Sequence, residues 1–313
     1  MKTPLTLCCM VLLLLGIACE RVVEVELPPH ESRIVANAFL SAGEPLRLYI
    51  SRSVGIVDRT NPADRVIKDA RVTILEDGQP FPARYIDTIL IDTTGHVSYP
   101  PAHYYVPLLP VAGRNYELRV THDGFDSVVA ETRVPVQAPI LVLQFVDNAF
   151  RSETGEPQFR LSITVADPPG VRNYYHLIAT LVQIDSLNMV WTAETLRFSN
   201  TANLGKIAYD GSILFSDELI DGQTVQLDFY GALPAAIAGA PIDGRYPWEL
   251  LQVDMRHTSR DYFEYQAALP AHQQAQEVGS GFFRIDPSPI VSNVKGGYGI
   301  FAGYASVCDT LFH

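Results

Sequence analysis

The sequence contains few cysteines, and their positions argue against a disulfide framework. Cys8, Cys9 and Cys19 lie near the N-terminus, and Cys308 stands alone near the other end. An exported chain without an internal disulfide depends on core packing for its stability. A chain of this length can be stable without a disulfide, because proteins of about 300 residues bury roughly 75% of their unfolded surface.

Positive charge is also scarce. The chain has 23 Lys and Arg against 35 Asp and Glu, which gives a formal net charge of −12. This balance argues against nucleic acid as a partner and against electrostatic docking onto anionic lipid headgroups. Attachment to a membrane would therefore have to come from a covalently attached lipid.

Local motifs for catalysis or metal binding are missing as well. No two of the eight histidines stand at a zinc-ligand spacing, and the sequence has neither a Gly-x-Ser-x-Gly elbow nor a glycine loop for phosphate. Ser292 and Lys295 formally match a Ser-x-x-Lys motif, which needs a helix. They lie between β-favouring residues and Gly296-Gly297, so we interpret the match as chance. We predict no catalytic residue, no cofactor and no metal.

An acidic set occurs at Asp210, Asp217, Glu218 and Asp221. A calcium loop and a glycosidase carboxylate pair are the two functional interpretations. The spacing differs from the calcium-loop pattern, and on a strand the adjacent residues 217 and 218 would point to opposite faces. We therefore predict solvated turn residues.

The N-terminus has the pattern of a secretory signal. Lys2 precedes an apolar run over residues 5–15, which is too short for a membrane span of about 20 residues, and Gly16-Ile17-Ala18 leads into Cys19. Small residues directly before a cysteine are typical of lipoprotein processing. We predict a signal peptide over residues 1–18 and a lipid on Cys19. The alternative is an ordinary secretory signal followed by a coincidental cysteine.

Alternation of apolar and polar residues predicts a mostly β protein. Residues 19–32 form a predicted lipidated tether that ends after Pro28-Pro29. Residues 33–134 contain several period-two segments and an Asp123-Gly124 hairpin turn, which together favour an immunoglobulin-like β-sandwich. The same alternation recurs over residues 141–313 and predicts a second β-rich domain.

The proposed boundary between these domains is the segment 135–140. Pro135 and Pro139 both lack a backbone donor and favour an extended linker. An edge loop within one continuous sandwich is the alternative.

One helix is predicted near residues 259–276. Thr258 to Asp261 resembles a capping box in which Thr258 caps the helix and Asp261 reaches back. Tyr262, Tyr265 and Leu269 then share a face, before Pro270 kinks or ends the helix. We expect this face to pack across a sheet, and an aromatic binding stripe is the alternative.

A tyrosine- and proline-rich segment is the candidate binding surface. Tyr99, His103, Tyr104 and Tyr105 surround Pro100-Pro101. Tyrosine is enriched at interfaces, whereas a packed loop at the end of a sandwich is the alternative. Near the C-terminus, the strand pattern places Cys308 on one face with Ile300, Ala302, Tyr304 and Ser306, so we expect its thiol to be at least partly covered.

Short motifs in a fixed order then suggest a family. The matching stretches are Cys19–Pro28, Ile34–Leu40, Leu46–Ser53, Lys68–Glu76, Asp167-Pro168, Asn173–Tyr175, Phe215–Glu218, Tyr262–Tyr265, Val291–Val294 and Gly297–Phe301. In this ordered set the chain resembles the Bacteroidota lipoprotein family called domain of unknown function 4249. The motifs are short, but they cover nearly the whole chain after the signal peptide.

The resemblance implies an outer-membrane lipoprotein, often encoded beside a TonB-dependent receptor, and it implies no known activity. Arg21 interrupts the acidic residues that follow Cys19, so the periplasmic and extracellular faces both stay open. We therefore expect a cell-envelope binding or accessory module that partners a TonB-dependent transporter in ligand uptake. A structural or adhesive lipoprotein and a hydrolase are the alternatives.

Overall fold

The computed structural model describes residues 30–55, 58, 60–87, 90–91, 97–98, 102–185, 190–200, 202–234, 248–278 and 289–313. The predicted signal peptide, Cys19, most of the predicted tether and Tyr99 lie outside this part of the chain.

The described chain consists mainly of strands and has one α-helix. The strands are β1 (Ile34–Ser41), β2 (Leu46–Arg52), β3 (Arg71–Glu76), β4 (Gln79–Pro82), β5 (Arg84–Ile86), β6 (Leu90–Ile91), β7 (Val97–Ser98), β8 (His103–Val106), β9 (Asn115–Thr121), β10 (Val128–Arg133), β11 (Ile140–Arg151), β12 (Pro157–Ala166), β13 (Tyr174–Asp185), β14 (Val190–Thr195), β15 (Gly205–Ile207), β16 (Ile213–Ser216), β17 (Thr224–Ala232), β18 (Leu250–Thr258) and β19 (Tyr298–Phe312). The helix is α1 (Arg260–Val278), and two 3₁₀ helices span Pro62–Arg65 and Asp217–Leu219. The predicted mostly β class with one helix near the C-terminus is confirmed.

A ten-stranded sheet runs through the molecule. Its order is β15-β16-β13-β18-β19-β1-β2-β8-β5, with β14 paired to β13. At its centre β1 and β19 are parallel, in a register that places Ala36 opposite Gly299 and Ala38 opposite Phe301. Two smaller sheets have the orders β10-β9-β3-β4 and β11-β12-β17, and β6 and β7 form a separate two-stranded sheet.

The smaller sheets pack on the large sheet as two β-sandwiches. Alternate residues of β1, β2 and β8 meet those of β3, β9 and β10 in a first core, which contains Leu40, Leu48 and Leu118. Alternate residues of β13, β16 and β18 meet those of β12 and β17 in a second core, which contains Leu177 and Phe229. This is the burial expected from period-two sequences, because successive side chains of a strand point to opposite faces.

Both cores lie on the same face of the large sheet, and β19 extends beneath both. Its Phe301 and Ala305 belong to the first core, and its Leu311 packs against the second. The predicted boundary at 135–140 therefore falls between two cores that share one sheet. The division into domains stays a prediction, as does its alternative of a continuous sandwich.

Helix α1 covers the opposite face of the large sheet. Tyr262 is 1% exposed and packs with Ile300 and Ala302 of β19, with Tyr265 beside them. The predicted packing of this aromatic stripe on a sheet is thus correct, and Pro270 lies inside the helix. None of the helices described is long and apolar enough to cross a membrane.

One local expectation near this helix is wrong. Ser259 is the capping residue, since its Oγ accepts from the Tyr262 amide at 3.3 Å, while Asp261 accepts from the Asn293 side chain. Cys308 is an exposed residue, but its thiol is partly covered as expected, because its Sγ lies 3.8 Å from Asp254 Oδ1 and burial raises its pKa.

Candidate functional site

The structure separates the tyrosines of the predicted binding surface. Tyr104 is 2% exposed, its hydroxyl donates to the Ile67 carbonyl at 2.9 Å, and it accepts from the Ala70 amide at 2.9 Å. Tyr104 is therefore a core residue, and the prediction that it belongs to a binding surface is wrong. Because β8 alternates, its neighbours His103 and Tyr105 lie on the outer face of the sheet.

These two neighbours belong to a wider aromatic surface, the outer aromatic face, made of Phe39, Tyr49, His103 and Tyr105. The Tyr49 and His103 ring centroids lie 6.2 Å apart, and the Arg84 guanidinium lies 5.6 Å from the Tyr105 ring. Phe39 and Tyr49 are 36% and 41% exposed. Such a mixture of aromatic rings and arginine is typical of protein interfaces.

The Ser-x-x-Lys match does not lie on a helix, in agreement with its interpretation as chance. Ser292 and Lys295 are exposed in an irregular segment, where the Lys295 backbone pairs with Val129. The informative residue of this segment is Asn293, which accepts from the Phe301 amide at 2.9 Å and donates to the Asp261 carboxylate at 3.1 Å. Asn293 thus joins β19 to the start of α1.

A chain of hydrogen-bonded polar groups lies under α1, with Tyr262, His176 and Ser212 buried at its centre. Arg256 donates to the Tyr262 hydroxyl at 3.0 Å, and that oxygen lies 2.9 Å from His176 Nδ1. His176 Nε2 lies 2.6 Å from the Ser212 hydroxyl, which donates to Asp210. These contacts fix a neutral imidazole protonated at Nε2. A serine beside a histidine is also the core of a hydrolase triad, but Ser212 is fully buried, where a substrate carbonyl has no access.

Burial of two histidines makes stability depend on pH. Burial lowers the pKa of His176 and of His257 to about 4, with the positive charge of Arg256 adding to the effect at His176. In the unfolded chain both titrate near their ordinary pKa of about 6.5, so the unfolded state binds more protons between pH 6.5 and pH 4. Their contribution to stability is complete above about pH 6.5 and is lost as the pH falls.

We expect the free energy of unfolding to fall by roughly 1.4 kcal/mol per histidine between about pH 7.5 and pH 5.5. Urea unfolding at both pH values measures this. The raised pKa values of Asp217 and Asp261 act in the opposite direction. His257→Gln should remove about half of the pH dependence, and an unchanged dependence in that variant would contradict the assignment.

The acidic set is arranged differently from the prediction. Asp217 is 1% exposed, on a 3₁₀ helix rather than a strand, so its assignment as a solvated turn residue is wrong. Carboxylate oxygens of Asp167, Asp217 and Asp221 lie within 4.8 Å of one another. Asp210 lies elsewhere, beside Ser212, and the Glu218 side chain is 68% exposed.

A cleft of about 470 Å³ lies where the two cores meet, and we call it the junction cleft. Its walls come from residues 132–136, 168–174 and 257–261, so the predicted linker supplies part of one wall. Apolar atoms dominate the lining, and Val136 and Val171 stand exposed at 63% and 66%. Ligand pockets in proteins are typically concave and mostly apolar, with volumes of about 300–1,000 Å³.

The polar groups of the junction cleft include one unsatisfied hydroxyl. Thr258 is 4% exposed, and its Oγ1 is buried without a hydrogen-bond partner among the described residues. Leaving such a group unpaired costs about 1–3 kcal/mol, which a ligand or water could recover only after a small shift of the cleft wall, because Oγ1 has almost no accessible surface. The adjacent His257 accepts from the Ala138 amide at 3.2 Å, which holds the linker against the sheet.

Sequence reasoning missed the junction cleft because its walls come from three distant segments. The sequence predicts Thr258 as a helix cap, and it shows Asn173 only as part of a short family motif. Their side chains come near one another only when β13 and β18 pair, with Tyr174 opposite Thr258.

The fold and its cleft define a two-core β-sandwich protein with a ligand-sized cavity between the cores. The chain belongs to the family described as domain of unknown function (DUF4249), whose profile matches residues 20–308. No match to a curated protein was found.

Proposed function

We propose that this protein is a lipid-anchored outer-membrane binding module that captures a ligand in the junction cleft and partners a TonB-dependent transporter in ligand uptake. The lipid on Cys19 would confine it to the membrane plane, where an embedded partner meets it at high effective concentration. No catalytic role is proposed for any residue.

The observation that carries this proposal is the unpaired Thr258 hydroxyl in a mostly apolar cleft. A polar group that lacks a partner in the free protein lowers stability, and folding alone gives no reason to retain it. The proposed ligand has an apolar body that contacts Val136 and Val171. Its polar group pairs with Thr258 Oγ1 after a small shift of the cleft wall that exposes this buried oxygen.

The outer aromatic face is the proposed docking surface for the transporter. It lies on the same face of the large sheet as α1, opposite both cores, so ligand and transporter would contact different surfaces. The alternative of a structural or adhesive lipoprotein also uses this face but gives no role to the cleft. The hydrolase alternative receives no support from Ser212, which is fully buried.

Purification of a tagged copy from native membranes in a mild detergent tests both the proposed ligand and the proposed transporter partner. We expect a large outer-membrane barrel at near-stoichiometric yield, together with a small molecule identified by mass spectrometry. Thr258→Val should lower the affinity for this small molecule about tenfold, the effect of one lost hydrogen bond of about 1.4 kcal/mol, and so reduce the amount that co-purifies. The same substitution should raise the free energy of unfolding, because it removes an unsatisfied buried hydroxyl.

Matched variants separate the two surfaces. Thr121→Val changes an exposed threonine that does not line the cleft, and it should leave ligand and barrel yields unchanged. Tyr49→Ala with Tyr105→Ala should reduce the barrel yield while the ligand is retained. The proposal would be refuted, in favour of a structural role, by two results together. One is that the lipoprotein is recovered without a barrel, and the other is that the native chain and Thr258→Val carry equal amounts of small molecule.

A further inference from the structure

The junction cleft is lined by more cationic than acidic residues, although the chain as a whole is acidic. Arg133, Arg172 and Arg260 each belong to a different wall of the cleft, and Asp261 is the single acidic residue of the lining. Four other cavities in the described part of the chain are lined by no more Lys and Arg than Asp and Glu. In a chain with 35 acidic and 23 basic residues, this local excess of positive charge indicates an anionic ligand.

Arg133 is the arginine of this set whose charge the protein does not balance. Arg172 and Arg260 both pair with carboxylates, whereas Arg133 forms no ion pair with a described residue. Its Nε donates to the Gly113 carbonyl at 3.2 Å, which holds the side chain in place. Both terminal amino groups of Arg133 are left without an acceptor in the described chain. Two such amino groups match the two oxygens of a carboxylate, which arginine binds in a paired geometry.

The first turn of α1 lies in the same lining and adds partial positive charge. The backbone amides of Arg260 and Asp261 donate to no described residue. Unpaired amides at the start of a helix favour a bound anion. Thr258, just before the helix, contributes the buried hydroxyl without a partner. The Asp261 carboxylate opposes an anion less than its position suggests, because it accepts from the Asn293 side chain at 3.1 Å.

An inorganic anion would not account for the rest of the lining. Apolar atoms dominate it, and Val136 and Val171 are both more than half exposed. Removing such side chains from water is favourable only if the ligand also has an apolar part.

We propose that the ligand of the junction cleft is an amphipathic anion. Its carboxylate would bind Arg133 and the start of α1, and its apolar body would contact Val136 and Val171. This inference rests on the proposed function, because it names the class of molecule that the cleft captures. An uncharged molecule of the same shape would fill the cleft but would not engage the arginine.

Two probes that share a shape and differ in charge test the inference. They are naphthoate and its neutral amide, naphthamide, bound to the full chain in a nonionic detergent and measured by equilibrium dialysis. A chamber with detergent alone corrects for probe dissolved in micelles. We expect naphthoate to bind about tenfold more tightly than naphthamide, because hydrogen bonds to an ionised group are roughly twice as strong as those between neutral groups.

Arg133→Gln makes the test specific to the cleft. It removes the charge and keeps a polar side chain, so we expect naphthoate affinity to fall about fivefold and naphthamide affinity to change less than about twofold. Arg119→Gln is the matched control, since Arg119 is an exposed arginine on the same outer face of the same sheet and does not line the cleft. It should change the affinity of neither probe.

Three outcomes would overturn the inference. They are equal affinity of the native chain for both probes, no saturable binding of naphthoate, and an equal loss of both probes in Arg133→Gln. Failure of the proposed function is a different result, because it appears as the absence of any small molecule in protein purified from native membranes.

Discussion

Gly299→Ala is expected to prevent stable folding of the large sheet. Gly299 has φ +116°, a conformation that side chains rarely adopt, and its partner across the central strand pair is Ala36. An added Cβ would fall inside contact distance of the Ala36 carbonyl, with the carbonyl carbon at 2.7 Å. Strain and overpacking together should cost about 4 kcal/mol or more, a large part of the stability of a typical domain.

Gly124→Ala is the matched control. Gly124 has a similar φ of +86°, but an added Cβ would meet nothing within 4 Å, so we expect a loss of only about 1 kcal/mol. Urea unfolding of both variants measures the difference. Equal losses would mean that β1 and β19 are not paired in this register.

Cys19→Ala is expected to abolish membrane attachment. If a lipid on Cys19 is the anchor, the variant should take up no radiolabelled acyl chain and should move completely from the detergent phase to the aqueous phase. Several acyl chains, each contributing about 0.8 kcal/mol per buried CH₂ group, would make attachment stable, and Cys19→Ala would remove all of them.

Cys308→Ala is the control for this variant, since it removes the one cysteine that lies outside the predicted signal peptide and tether, and it should leave labelling unchanged. A Cys19→Ala protein that still takes up label and stays with membranes would contradict the lipoprotein prediction. A Cys19→Ala protein that is fully secreted but takes up no label would support the lipoprotein prediction over an ordinary secretory signal.

Local pattern was sufficient to predict the β class and the helix. The alternation within residues 33–134 and 141–313 predicted strands, and the structure contains alternating strands such as β2, β3 and β12 there. The aromatic spacing at Tyr262 and Tyr265 predicted a helix packed on a sheet. Each of these predictions depends on residues near one another in sequence, for which periodicity is a direct consequence of backbone geometry.

The pairing of distant segments could not be predicted in this way. Nothing in the sequence around Ala36 shows that its strand lies beside β19, and the acidic cluster requires the loop after β12 to meet the turn before β17. The same limit explains the error at Tyr104, because a run of adjacent tyrosines does not show which one faces the core. The capping error has a local cause, since Thr258 and Ser259 are both good caps and the paired end of β18 decides between them.

The parallel pair of β1 and β19 has a consequence for how the chain matures. Asn37 and Ile300 are hydrogen-bonded although they are 263 positions apart. A chain that is synthesised from its N-terminus presents β1 long before β19, so the central edge of β1 stays unpaired until the end of the chain is available. High contact order slows folding, and an unpaired edge strand can recruit other chains. Binding of that edge by a chaperone until β19 is available would therefore favour correct assembly.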